Sequence, residues 1–117
     1  MHSEWFELPS KTADRLNRAK KEGRKIVAVG TTSVRVLESC GKTGELKSET
    51  GETEIFIYPG YQWKFVDQMI TNFHVPKSTL LMLVCSFADR NFILDAYEEA
   101  KAKNYRFFSF GDAMWIK

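Results

Sequence analysis

The chain has 117 residues, 44% of them apolar, which suits one domain with a modest core and argues against disorder. A formal net charge of +2 is too small to imply nucleic acid by itself, and two cysteines without a CxxC pair plus two histidines are too few for a structural zinc site. No leader pattern or bilayer-length apolar run is present, so the expected compartment is a reducing cytoplasm, with Cys40 and Cys85 as small core residues.

In chain order, residues 2–8 read as a strand halted by Pro9, and Ser10 as the N-cap of a helix over 11–22 closed by Gly23. That helix carries only a thin apolar stripe (Ala13, Leu16, Ala19). It is the most basic stretch of the chain, with seven cations from Lys11 to Lys25, as either a solvated face or an RNA contact would require. Residues 24–29 predict a strand covered on both faces. It runs into Gly30-Thr31-Thr32-Ser33 and a helix bearing Val34, Leu37 and Cys40. Strand, glycine, hydroxyl-rich turn and helix outline an anion site, and a simple helix cap explains the threonines equally well. Neither a P-loop nor a dinucleotide fingerprint is present.

Residues 41–53 are polar and glycine-punctuated, predicting an exposed hairpin that leads to a strand over 54–58, a turn at 59–61 and a further extended segment over 65–73. Period two places Asn72 and His74 on one face of that segment, with Thr71 and Phe73 on the other. A turn around Pro76 then leads to a helix opening at Ser78, apolar on nearly every side through residue 88 and expected at the centre of the domain. Asn72, His74, Lys77, Ser78 and Thr79 crowd its mouth, the kind of junction where α/β sheets bind ligands. A second helix is predicted over 91–103 with Asn104 as its cap, then a strand over 105–110, a turn at Gly111-Asp112 and an extended end. Alternating strands and helices predict an α/β fold, a mixed and largely parallel sheet with helices packed on it, spanning residues 1–117 as one domain.

Several of these residues carry chemistry beside a plainer reading. His74 titrates near neutrality and suits acid–base work, or it stabilises the turn before Pro76. Lys77 and Ser78 suit an anionic group, or they are a solvated cation and a cap. Asp112 faces a cleft or forms its turn. Arg35 lies in the first turn of its helix, where the dipole disfavours a cation, so it needs an anionic partner: a ligand, Glu38 or Glu4. The aromatics Trp5, Trp63, Phe107, Phe108 and Trp115 are read as core rather than as a base-stacking platform.

Three motifs go further. They are Gly30-Thr31-Thr32-Ser33-Val34-Arg35; Gly60-Tyr61 and Val66-Asp67 leading to Ile70-Thr71-Asn72-Phe73-His74-Val75-Pro76-Lys77-Ser78-Thr79-Leu80-Leu81-Met82; and Tyr105-Arg106-Phe107-Phe108-Ser109-Phe110-Gly111-Asp112-Ala113-Met114. In this order they resemble the C-terminal part of the S-adenosylmethionine:tRNA ribosyltransferase-isomerases of queuosine biosynthesis, across essentially the whole chain. Val36, Cys85, Asp89 and Phe110 depart from that pattern, which has threonine, a small residue, glycine and tyrosine there.

The resemblance implies a fragment of a larger α/β domain, with an N-terminal portion and an inserted β-barrel outside this chain. It implies transfer and isomerisation of the ribosyl part of S-adenosylmethionine onto 7-aminomethyl-7-deazaguanine in tRNA, giving epoxyqueuosine and releasing adenine and methionine. S-adenosylmethionine is then a consumed substrate, and no cofactor, metal or membrane is implied. On this reading His74 and Asp112 are the acid–base candidates, and Thr31, Thr32, Ser33 and Arg35 form an anion clamp. Asn72, Lys77 and Ser78 line the pocket, joined by His2 and Glu4 from the first strand. The partners are tRNA, S-adenosylmethionine and the missing portion of the same enzyme, without which the chain is expected to be inactive. The alternative is a non-catalytic tRNA-binding module or one half of a split enzyme.

Overall fold

The computed structural model describes residues 2–75, 78–108 and 111–117. Its elements in order are β1 (Glu4–Leu8), α1 (Ser10–Lys21), β2 (Val27–Val29), α2 (Thr31–Cys40), β3 (Glu49–Thr53), β4 (Gln68–Asn72), α3 (Thr79–Phe87), α4 (Arg90–Ala102) and β5 (Ala113–Ile116). β1 and β3 form a two-stranded antiparallel ribbon, while β2, β4 and β5 form a three-stranded sheet in the order β2-β4-β5. β2 runs parallel to β4, and β5 runs antiparallel to it. The α/β class, with mixed sheets and helices packed on them, is as the sequence predicts. Among the described ladders, parallel pairing is confined to β2–β4.

Helix ends follow local chemistry. Gly23 at φ +79° lets Gly23 N–H and Arg24 N–H bond back to Lys20 O and Ala19 O, closing α1. Asn104 at φ +61° does the same for α4, with Asn104 N–H and Tyr105 N–H returning to Lys101 O and Ala100 O. Asp89 caps α4 by accepting Phe92 N–H at 3.0 Å. Ser10 is not a cap: Pro9 holds that position, already extended, and Ser10 is the first helical residue.

Several predicted strands are displaced, where other groups claim the backbone. Residues 54–58 are no strand, since the Arg35 guanidinium takes Ile55 O, while Ile57 is buried. The strand instead lies at Glu49–Thr53, pairing with β1 rather than closing a hairpin on its own loop. β4 begins only at Gln68 because Lys64, Phe65 and Val66 all turn their N–H groups onto the buried Glu38 carboxylate. Residues 105–108 form no strand: Tyr105 N–H closes α4, Arg106 N–H bonds Asp112 Oδ2 at 2.6 Å, and Phe108 N–H bonds Phe73 O. The rest of that predicted strand, Ser109 and Phe110, lies outside the described residues, as do Pro76 and Lys77.

The main core joins one face of the sheet (Ala28, Met69, Ile116) to α3 and α4 through Leu81, Leu83, Val84, Ile93 and Tyr97. A second cluster seats α1 over Leu8, Ile26, Leu46 and Phe65. α3 is less enclosed than its sequence suggests, with Met82 exposed and Leu80 half-buried. Among the described residues nothing buries Val27 and Val29 on the other face of the sheet, against the expectation of burial on both sides. Trp5, Trp115 and Phe108 are likewise exposed rather than core.

Candidate active site at the strand ends

Parallel pairing brings the carboxyl ends of β2 and β4 side by side, and Gly30 N–H bonds Ile70 O at 2.8 Å across that junction. The antiparallel β5 brings its first residue, Ala113, opposite Asn72. A depression of about 420 Å³ opens where these meet, lined by Gly30, Thr31, Thr32, Ile70, Thr71, Asn72, His74 and Ala113 among others. The carboxyl ends of the strands are where sheets of this class hold ligands. Two larger grooves, beside β5 and beside β2, are walled mainly by apolar side chains and lack this convergence of hydroxyl, amide and imidazole groups.

Gly30 occupies the N-cap position of α2 at φ +93°, a backbone shape that a side chain would strain. Among the described residues no side-chain cap hydrogen bond closes this end, so the threonines do not serve as its cap, and the N–H groups of the first turn stand beside the Thr31 and Thr32 hydroxyls. Thr32 Oγ1 donates to Glu4 Oε1 at 3.2 Å, which ties β1 to this turn. Arg35 is only 2% exposed. Its Nε and Nη2 hold Ile55 O, while Nη1 sits 3.3 Å from Glu4 Oε2. The anionic partner that its position called for is therefore Glu4, and the guanidinium faces the protein rather than the depression. Ser33 is exposed on the neighbouring groove beside β2.

His74 lies just beyond β4 and turns back, contrary to simple alternation. Its Nε2 shares a 2.9 Å hydrogen bond with Thr71 Oγ1, and its backbone N–H donates to the Tyr97 hydroxyl at 2.8 Å. Desolvation holds the imidazole below its ordinary value of 6.5, so it is neutral at pH 7 with one nitrogen able to accept a proton. Because the unfolded chain takes up that proton more readily, the contribution of His74 to stability is complete above pH 6.5 and is lost as pH falls below it. His74→Gln is therefore expected to flatten the drop in urea midpoint between pH 7.5 and 5, and an unchanged drop would contradict this assignment.

Ser78 accepts Leu81 N–H at 3.2 Å and acts as the cap of α3. Asn72 is exposed at the mouth of the depression, and Asp112 precedes its lining residue Ala113 with its carboxylate engaged by Arg106 N–H. His2 is exposed on the segment before β1. The structure thus brings Thr31, Thr32, Asn72 and His74 together, with Glu4 behind Thr32. It sets Arg35 and Ser78 to other tasks and leaves Ser33 on the neighbouring groove, and Lys77 is outside the described residues.

Sequence reasoning missed Thr71 and Tyr97, which hold His74, and weighed Glu38 only as a partner of Arg35, whereas it is fully buried. Glu38 accepts from Tyr61 Oη and Lys64 N–H on one oxygen and from Phe65 and Val66 N–H on the other, all at 2.8–2.9 Å. The signal was its spacing: Glu38 stands four residues after Val34, on the apolar stripe of α2. Among the described residues no helix is long and apolar enough to cross a membrane.

Comparison with known proteins adds the lineage. A relative from Carboxydothermus hydrogenoformans, named S-adenosylmethionine:tRNA ribosyltransferase-isomerase, is 55% identical over 99% of this chain and 34% of its own length. One of the same name from Natranaerobius thermophilus is 56% identical over 100% of this chain and 34% of its own length. The crystal structure of the S-adenosylmethionine tRNA ribosyltransferase from Thermotoga maritima superposes with a TM-score of 0.91 at 49% identity, over 97% of this chain and 40% of that one. The chain therefore spans about a third of the length of the curated relatives it matches. The family described as queuosine biosynthesis protein matches residues 1–116, and this chain belongs to it.

Proposed function

We propose that this chain is part of an S-adenosylmethionine:tRNA ribosyltransferase-isomerase and contributes one wall of its active site. The observation that carries the reading is the depression at the ends of β2 and β4, where family membership and site geometry coincide. The reaction class requires a base for a proton beside the sulfonium, a donor to departing adenine and a hold on the methionine carboxylate or a tRNA phosphate. A neutral imidazole at His74, fixed by Thr71 and Tyr97, suits the first task. The proton it removes leaves an ylide, whose electron pair is relayed through the ribose to break the glycosidic bond and expel adenine; the amine of the modified base then bonds to the ribosyl part and gives up a proton, and the carbon–sulfur bond breaks to release methionine. The first-turn N–H groups of α2 with the Thr31 and Thr32 hydroxyls suit the anion. Asn72 stands beside them at the mouth, and Asp112 would act there once a ligand draws it from Arg106. The exposed cations Lys11, Arg15, Arg18 and Lys21 on α1 suit tRNA phosphates.

The test compares this chain alone with a full-length polypeptide carrying these 117 residues in place of the matching stretch of the Carboxydothermus hydrogenoformans relative. Adenine release from S-adenosylmethionine with precursor tRNA is expected from the full-length protein and not from the short chain. Release by neither would remove the proposed activity. Release by the short chain would show that the depression needs no further wall.

A further inference from the structure

The imidazole of His74 meets the rest of the chain through one nitrogen. Nε2 shares its 2.9 Å hydrogen bond with Thr71 Oγ1, and among the described residues Nδ1 has no hydrogen-bond partner. Thr71 and His74 both line the depression, and Thr71 itself is only 5% exposed. It stands on β4, the central strand of its sheet, in register with Met114 of β5. A β-branched side chain there has little rotamer freedom, so Oγ1 is a fixed point against which the ring is set. The backbone is anchored separately, since His74 N–H donates to the hydroxyl of the buried Tyr97 at 2.8 Å. A neutral imidazole carries one N–H and one lone pair, and the partner of one nitrogen decides which is which. A hydroxyl can donate or accept, so the bond to Thr71 is compatible with either tautomer.

We propose that Thr71 is a positioning residue: it accepts Nε2–H from His74 and so keeps the ring's lone pair on Nδ1, the atom that takes the substrate proton. This deepens the functional reading of the depression and rests on it. Two arguments select the direction of the bond. The first is access: Nε2 is occupied at hydrogen-bond length, so Nδ1 is the nitrogen left to receive a proton from a ligand. The second is the state that follows. Once the proton is taken, both ring nitrogens are donors, so Nε2–H must then point at Thr71 Oγ1. With Thr71 accepting from the outset, proton uptake leaves that bond in place and strengthens it, because its donor becomes charged. With Thr71 donating, Nδ1 already bears a hydrogen, and the hydroxyl has to turn round before the ring can act as a base. The acceptor arrangement is the preorganised one. In it the proton leaves the carbon beside the sulfonium for Nδ1, the electron pair stays on that carbon, and the Thr71 oxygen faces the charge gained by the ring. A merely structural bond would run the other way, since donation to Nε2 satisfies the hydrogen of the buried hydroxyl. The two roles therefore differ in one observable, the tautomer.

The experiment reads the ring directly. Long-range proton–nitrogen correlation spectra of this chain, isotope-labelled and at pH 7.5, report which nitrogen of each histidine bears the hydrogen. The exposed His2 supplies the pattern of an imidazole exchanging between tautomers. His74 is expected to show a protonated Nε2 and a bare Nδ1. Thr71→Val removes the hydroxyl at nearly constant shape and is expected to move His74 toward the exchanging pattern, with Thr71→Ser restoring the parental one. In the full-length polypeptide described above, Thr71→Val is expected to lower kcat for adenine release by roughly 10- to 100-fold at nearly constant KM, less than loss of the base itself, and Thr71→Ser to recover most of it. A parental His74 with Nδ1–H and a bare Nε2 overturns the proposal without any variant having to fold. So does a Thr71→Val protein whose tautomer is unchanged, or one that folds and releases adenine at the parental rate. The spectra do not depend on turnover. The expected tautomer beside a His74→Ala enzyme of parental activity sinks the functional reading, and the role of Thr71 with it. The opposite tautomer beside an inactive His74→Ala enzyme sinks this proposal alone.

Discussion

Replacing Glu38 by alanine is expected to unfold this chain at room temperature or bring it close to unfolding. The carboxylate is fully buried and is the shared acceptor for Tyr61 Oη and the N–H groups of Lys64, Phe65 and Val66. Its removal strands these donors away from water and opens a cavity. Losses of about 1–3 kcal/mol for a stranded buried donor, even when partly relieved by water, sum to about 4 kcal/mol or more. A chain of this size has roughly 5–15 kcal/mol in total. The urea midpoint should fall by roughly 2 M. Glu38→Gln keeps the shape but turns an amide nitrogen toward donors, so most of the loss should persist. A midpoint within roughly 0.3 M of the parent for the alanine variant would refute the acceptor role.

His74→Ala in the full-length polypeptide is expected to lower adenine release by roughly 10²- to 10⁴-fold, the usual span for a lost general base. The imidazole is half-buried, so the substitution removes modest packing, and the urea midpoint separates a catalytic loss from unfolding. Release within about threefold of the parent, far below that span, would take His74 out of the mechanism. Tyr97 is a separate matter: its ring packs edge-on against Phe73 and Phe107 in the core, so its loss would mix positioning with stability.

The legible parts of the sequence were those written in local chemistry. Gly23, Asn104 and Ser78 act at helix ends much as their residue types foretell, and the turn after β2 was recognisable from Gly30-Thr31-Thr32 alone. What could not be read was any competition settled at long range. Ile55, Phe56 and Ile57 have strand composition, yet Arg35 takes the carbonyl that a neighbouring strand would need. His74 was assigned its face by alternation, but the strand stops at Asn72 and a hydroxyl from Thr71 redirects the ring. Arg35 itself was flagged as misplaced at a positive helix end. The reason lay with Glu4, thirty-one positions earlier, which no pattern within the helix could reveal.

The ladders carry a consequence for how the chain reaches its native state. Each joins residues roughly forty or more positions apart, and even the consecutive strands β4 and β5 are separated by α3 and α4. No hairpin can therefore nucleate the sheet, and large loops must close before a single rung forms, which slows folding of this kind. Until then the Val-Ala-Val and Met-Ile segments stand as naked ribbons, vulnerable to partners that arrive sooner than the correct one.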